Sequence, residues 1–334
     1  MHVMWIAHWA TKSKYRNMEI VGCHYTNKDG FTFFTDKYGN PEQIVYQKDI
    51  SSIESKESIE SYILRNKIKG LILRDNEFLP ESVAYLVNFP FVESVSIYSS
   101  KLKYDCNVFN YLPNLRNLSC DLHDAVLEIP TLETLRISFG KKAVISGKCT
   151  NLQKLTIHRC KDYGSLWAQL EKLPYLEELS LNFGVMEDCS NFRKLPSLKK
   201  LNFLYLKKFS DLKGIEVLAD TLTSVEFDTS AGKNITDYSQ LSYLTKLQSL
   251  IISNNSEIKD LHFLDSLTSL ENLRLLCKIS TDDLAPLKNI PQVLFFHTGI
   301  DKKIETFLEE HQLGRQNEIK NAVKNISIKI GRNT

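Results

Sequence analysis

Three groups of residues in this 334-residue chain have the types that could do chemistry. Gly140-Lys-Lys-Ala-Val-Ile-Ser-Gly147-Lys148-Cys149 has glycines and a lysine, as does a loop that cradles phosphates while a hydroxyl binds magnesium. Its glycines stand seven apart where that chemistry needs five, and Cys149 occupies the place of the hydroxyl. Cys149, His158 and Cys160 offer sulfur and imidazole donors of the kind that hold zinc, but no CxxC pair completes a tetrahedral set. A Cys–His nucleophile would need a third group to orient the imidazole, and the spacing supplies none. In the first 66 residues Cys23, His24 and several carboxylates show no catalytic spacing, and Trp5 and Trp9 fit ordinary packing. These residues therefore predict no catalytic site, no metal site and no cofactor.

Composition limits the partners. The chain has 42 basic and 40 acidic side chains and a formal net charge of +2, so no broad field favours nucleic acid or an anionic membrane. No charge precedes the short apolar run at the N-terminus, and no stretch of eighteen apolar residues occurs, which predicts neither a secretory signal nor a membrane span. The cysteines Cys23, Cys106, Cys120, Cys149, Cys160, Cys189 and Cys277 are odd in number and scattered, which predicts a reducing, cytoplasmic setting. A free monomer is expected.

The elements that position these residues follow from a six-residue phrase: aliphatic, two variable, aliphatic, one variable, apolar. It begins at Ile68, Val92, Leu115, Leu132, Leu152, Leu176, Leu198, Leu222, Leu247, Leu270 and Ile290. None of its ladder positions is charged, and the starts lie seventeen to twenty-five residues apart, the period of one strand plus a return segment. The fold class predicted is an α/β solenoid in which each repeat packs on its neighbours. Leu-Pro-x-Leu openings recur at Leu112, Leu173 and Leu195, where proline stops a helix and sets an extended approach to the strand. The shortest spacing, Leu115 to Leu132, predicts a nearly extended return.

Three segments result. Residues 1–66 read as an N-terminal cap or small module: Phe31–Phe34 and Ile44–Tyr46 flank polar residues 36–41 as a hairpin, and Ile59, Tyr62 and Ile63 mark a short amphipathic helix. Residues 67–298 are the repeat array. Residues 299–334 read as a C-terminal cap, with a helix at Ile304, Phe307 and Leu308 and a strand at Ile326, Ile328 and Ile330.

The phrases Leu247-Gln-Ser-Leu-Ile-Ile252-Ser-Asn-Asn255 and Ile68-Lys-Gly-Leu-Ile-Leu73-Arg-Asp-Asn76 resemble leucine-rich repeats of the short bacterial, internalin-like kind. The resemblance implies a horseshoe with a concave parallel sheet, short helices or loops on the convex side, and a role in protein recognition. The turn-bonding asparagine of the ninth position survives at Asn76 and Asn255 and is replaced by Ser100, Gly140, Cys160, Gly184, Leu206 and Ser230 elsewhere. Internalins are exported adhesins, so the fold is carried over without that role.

On such a sheet positions five and seven face solvent and positions four and six the core. Position eight adds Phe139, Arg159, Phe183 and Tyr205 in four consecutive repeats. Aromatic and arginine side chains dominate interface hot spots, so the candidate partner-binding patch is Arg136, Phe139, His158, Arg159, Phe183 and Tyr205. Position-eight aromatics have an equal claim to the core. Leu276, Leu294 and Phe296 form a second apolar group, expected to be buried beneath the helix at Phe307. The function expected is a non-catalytic scaffold that captures a protein on the concave face. The alternatives are an inhibitor or immunity-type protein, or an effector whose activity resides in residues 1–66.

Overall fold

Alternation along a strand sends the fourth and sixth side chains of each phrase to one side, and in the computed structural model they are buried without exception. The first positions are buried too, save Ile68, which is half-buried. The structure describes residues 24–35, 42–46, 58–74, 83–98, 103–160, 163–228 and 235–311. The expected strand at Ile326–Ile330, and Trp5 and Trp9, lie outside these residues. The chain divides into two compact units, Met1–Ile157 and His158–Thr334.

In the first unit the sheet order is β1 (His24–Lys28), β2 (Phe31–Thr35), β3 (Gln43–Val45), β4 (Gly70–Arg74), β5 (Ser94–Tyr98), β6 (Asn117–Leu122), β8 (Thr134–Phe139) and β10 (Lys154–His158). The pairs β1–β2 and β2–β3 are antiparallel, and from β3 to β8 the pairing is parallel. Asp29 and Gly30 both have positive φ, 53° and 82°, which makes the two-residue turn that joins β1 to β2. Phe31 and Phe33, alternate residues on β2, meet Tyr62 of helix α1 (Ile59–Asn66) at ring distances of 4.5 and 6.4 Å. The Tyr62 hydroxyl donates to Asp29 at 2.8 Å, tying the helix to the hairpin turn.

Equivalent positions of the phrase pair with one another from strand to strand. In the second unit β11 (Glu178–Asn182), β12 (Lys200–Leu204), β13 (Ser224–Asp228), β14 (Ser249–Ile258), β15 (Asn272–Ile279) and β16 (Gln292–Phe295) pair position for position, as in Leu179–Leu201–Val225–Leu250–Leu273–Val293. Helix α2 (Tyr163–Leu170) precedes β11, and α3 (Asp301–Glu310) follows β16.

Most returns are short 3-10 helices, at Tyr85–Asn88, Cys106–Tyr111, Ser190–Lys194, Ile215–Leu218, Ser239–Tyr243, His262–Ser266 and Ala285–Asn289. An aspartate sets the start of six: the carboxylates of Asp105, Asp188, Asp211, Asp237, Asp260 and Asp283 each accept the backbone N–H two residues on, at 2.8 to 3.0 Å. The returns after β6 and β8 are extended instead. They contain β7 (Val126–Leu127) and β9 (Val144–Ile145), which pair parallel to each other, in accord with the short repeat period there. At Leu112-Pro-Asn-Leu115 the leucine before proline is extended (Leu112 φ −98°, ψ 96°), but the proline opens a turn closed by Leu115 N–H donating to Leu112 O at 3.2 Å, and Leu176 and Leu198 donate likewise to Leu173 and Leu195 O at 3.3 and 3.2 Å. The approach to the strand is thus a turn and not an extended run.

On the opposite face of the sheet, the expectation that position five is solvent-facing fails at the start of the array. Ile72 and Ser96 keep 1% and 8% of their surface. The cause lies partly in Gln43: its amide crosses β4 and donates to Ser94 Oγ at 2.8 Å and Ser96 Oγ at 3.0 Å on β5. Gly70 makes the crossing possible, because a Cβ there would stand 2.8 Å from Gln43 Cγ and 2.7 Å from Glu42 O.

Two predictions follow from these contacts. Gly70→Ala, and separately Gln43→Leu, which strands two buried hydroxyls, should each cost about 1–3 kcal/mol in denaturant unfolding. The second concerns His262, whose Nδ1 lies 2.7 Å from Asp265 and whose Nε2 lies 3.2 Å from Asp283 in the next return. Both ring nitrogens donate only as imidazolium, and hydrogen bonding to Asp265 holds its pKa above the ordinary 6.5. A raised folded pKa gives stability that is complete below the unfolded value and disappears as pH rises through the folded one. The melting temperature of the wild type should therefore exceed that of His262→Gln most at acid pH and converge with it at alkaline pH, with a smaller gap in high salt.

Candidate functional site

Strict alternation would turn position eight into the core beside positions four and six. The backbone prevents this. Arg159, Phe183, Tyr205 and His297, the eighth residues of four repeats, have φ of 57°, 57°, 52° and 57°. This left-handed step exchanges the two sides: residue eight turns outward and residue nine inward. Cys160, Gly184 and Leu206, the ninth residues, are buried, whereas Arg159 is exposed and Phe183 keeps 40% of its surface. The backbone ladder survives the step, because Arg159, Phe183 and Tyr205 donate their N–H to Asn182, Leu204 and Asp228 O, each at 2.8 Å. Left-handed backbone costs a residue with a Cβ about 1–2 kcal/mol, and bulky side chains are unusual there.

The outward turn settles where the aromatics lie. Phe183 and the half-buried Tyr205 stack at a centroid distance of 5.2 Å with planes 3° apart, on the surface and not in the core. At position seven on the adjoining strands, Asn182 is 7% exposed and its amide lies 3.3 Å from His158 Nδ1. Asn202 donates to Ser180 Oγ at 3.1 Å at position five. Further along the same face stand Glu226 and Asp228. Burial holds the Glu226 carboxyl above its ordinary value, the Asp228 charge adds to this, and Arg274 opposes it.

The six residues singled out in the sequence are thus distributed between the units. Arg136 and Phe139, both half-buried on β8, belong to the first; His158, Arg159, Phe183 and Tyr205 belong to the second. Within the second unit the structure joins Phe183 to Tyr205 and His158 to Asn182. Asn182, Glu226 and Asp228 lay in the face columns but were not singled out, since a polar residue at a face position is ordinary. The apolar group Leu276, Leu294 and Phe296 departs from expectation. Phe296 is 53% exposed, with its ring against His297 at 3.8 Å, while Ile304 and Leu308 of α3 are buried without covering it. Cys149 is buried and donates to Leu127 O at 3.4 Å. Among the described residues no group of three or more His, Cys, Asp or Glu side chains is disposed to hold a metal ion. Among them, too, no helix is long and apolar enough to cross a membrane.

Parallel strands in one register and a buried ladder at positions one, four and six decide the architecture. It is the leucine-rich-repeat fold. No family model matches the chain, and no curated protein matches it. Solved structures similar to it include an internalin (inlF) from Listeria monocytogenes, at 18% identity over 78% of this chain and 84% of that one, with a TM-score of 0.45. Internalin C2 from the same species covers 65% of this chain and 80% of its own at 20% identity and a TM-score of 0.37. A leucine-rich-repeat protein of Leptospira interrogans is 17% identical over 68% of this chain and 71% of its own, with a TM-score of 0.36.

If left-handed strain is the cost of presenting position eight, glycine should relieve it where the side chain packs on little. Arg159→Gly should raise stability by about 0.5–1 kcal/mol, the left-handed cost less the added flexibility of the unfolded chain. Phe183→Gly should gain less or lose, because it also abolishes a stack worth about 0.5–1.5 kcal/mol. Chemical denaturation of the two variants beside the wild type measures the difference.

Proposed function

We propose that this leucine-rich-repeat chain is a non-catalytic scaffold that captures a protein partner on the exposed face of its parallel sheet. The observation that supports this reading is the outward position-eight row. Arg159, Phe183 and Tyr205 are held in a costly backbone conformation that puts two stacked rings and a guanidinium in solvent. A residue type that fits this conformation poorly, kept at the surface, is suited to contact and not to folding. The proposed contacts are Arg136 and Phe139 of the first unit and His158, Arg159, Phe183 and Tyr205 of the second. Residues 1–66 and 299–334 serve in this reading as caps of the repeat array, and the protein acts in a reducing, cytoplasmic setting without cofactor or metal.

Affinity capture from the native host with the full-length protein tests it. A specific protein should be retained, and Phe183→Ala with Tyr205→Ala should weaken its measured affinity at least tenfold while leaving circular dichroism unchanged, as loss of about 1.4 kcal/mol or more demands. Retention of the same partner at full affinity by this variant and by Arg136→Glu with Arg159→Glu removes the proposed patch. Capture that follows residues 1–66 alone assigns the activity to that segment.

A further inference from the structure

The left-handed step that turns position eight outward carries a second row with it. Beyond the inward ninth residue the chain alternates again, so position ten faces solvent. Val185 keeps 40% of its surface and Lys207 is exposed, while Gly184, Met186 and Leu206 are buried. Val185 and Lys207 pair across a parallel bridge, in which Lys207 N–H donates to Gly184 O at 2.8 Å and Met186 N–H donates to Lys207 O at 3.2 Å. Positions eight and ten thus form one strip on the second unit, from Arg159 across Phe183 and Val185 to Tyr205 and Lys207. Its charge has one sign. Among the described residues neither Arg159 nor Lys207 has a carboxylate at ion-pairing distance, and the neighbouring Lys208 reaches Glu187 only at 3.9 Å. The Asp188 carboxylate is occupied by Ser190, whose N–H and hydroxyl both donate to it. Glu226 and Asp228 stand on the next strand, β13, so the basic strip ends at the repeat of Tyr205 and Lys207.

We propose that the partner protein docks an extended acidic segment on this strip, with an apolar side chain against Phe183 and Val185 and a carboxylate on each side of it, one paired with Arg159 and the other with Lys207. This rests on the reading of the position-eight row as the contact surface and names the chemistry that the row selects. An exposed apolar stripe flanked by cations without described counter-charges is complementary to an apolar side chain flanked by anions, and a basic segment would be repelled. Arg159 offers two parallel N–H donors to one carboxylate, and Lys207 offers a point charge to the other. Their strands lie two repeats apart, about 10 Å at the spacing of a sheet. Alternate residues of an extended chain share a side, so a run of acidic–x–apolar–x–acidic residues presents all three side chains together, with its two acidic residues about 13 Å apart. The long, jointed side chains of Arg159 and Lys207 cover the difference.

A library of random heptapeptides displayed on phage, selected on the immobilised full-length protein, supplies the test. Enriched peptides are expected to carry aspartate or glutamate on both sides of an apolar residue. A synthetic peptide of that set should bind the double variant Arg159→Gln with Lys207→Gln at least about tenfold more weakly than the wild type, and its affinity for the wild type should fall as salt rises. Circular dichroism establishes that the variant is folded, which two exposed substitutions permit. The proposal is overturned if the enriched peptides are neutral or basic, if nothing is enriched, if the acidic peptides bind the double variant as tightly as the wild type, or if an oligothymidine strand binds more tightly than any of them. Neutral apolar peptides that are enriched on the wild type and lost on Phe183→Ala with Tyr205→Ala would leave the contact surface in place and remove the acidic partner alone. Acidic peptides that need Arg159 and Lys207 but not the two rings would keep the charge pairing and remove the rings from the contact.

Discussion

The parallel backbone ladder between successive repeats is the interaction on which the rest depends. In repeat after repeat the carbonyl oxygen of position two accepts the N–H groups of positions two and three of its neighbour, as Lys69 does from Glu93 and Ser94 and Lys199 does from Thr223 and Ser224. A parallel ladder cannot be closed by a tight turn; it needs a return segment for each strand. The side chains at positions four and six then stack on their equivalents at zero offset, and one charge among them would be buried along the row. Uncharged ladder positions are thus a consequence of register and not of composition alone.

Register also explains the placement of polar chemistry. Charged pairs such as Lys69–Glu93 and Lys199–Glu177 align at position two because the repeats align, and being half in solvent each contributes little to stability. Histidine and cysteine that might suggest a reaction centre are distributed by the same rule. Cys160 and Leu206 occupy the inward ninth position and are buried there. The Asp turns at the start of six returns supply local order on the other side of the repeat.

Much of this was legible in the residues. The buried ladder, helices α1 and α3 and the extended return between Leu115 and Leu132 all follow from spacing, since each is set by local pattern. What could not be read depends on contacts between residues far apart. Burial of Ile72 and Ser96 requires knowing that the Gln43 side chain passes over Gly70. The surface position of Phe183 and Tyr205 requires knowing that the backbone turns left-handed at residues whose types disfavour it, so periodicity left core and surface evenly balanced. Strand β1 is a different case. Asp29-Gly30 between Lys28 and Phe31 is a strong hairpin signal, and it points to a strand that the polar sequence His24–Lys28 otherwise conceals.

That strand has a consequence for how the molecule behaves in a crowded solution. A repeat sheet ends in a row of free N–H and C=O groups, a template for pairing with any extended chain. Here the antiparallel hairpin occupies the open side of β4 through β3, and among the described residues β1 stands at the margin, with Thr26, Asn27 and Lys28 exposed. A short, polar, lysine-bearing strand makes a poor template. The first unit therefore carries its own protection against edge-to-edge assembly, built from the stretch of chain that least resembles a repeat.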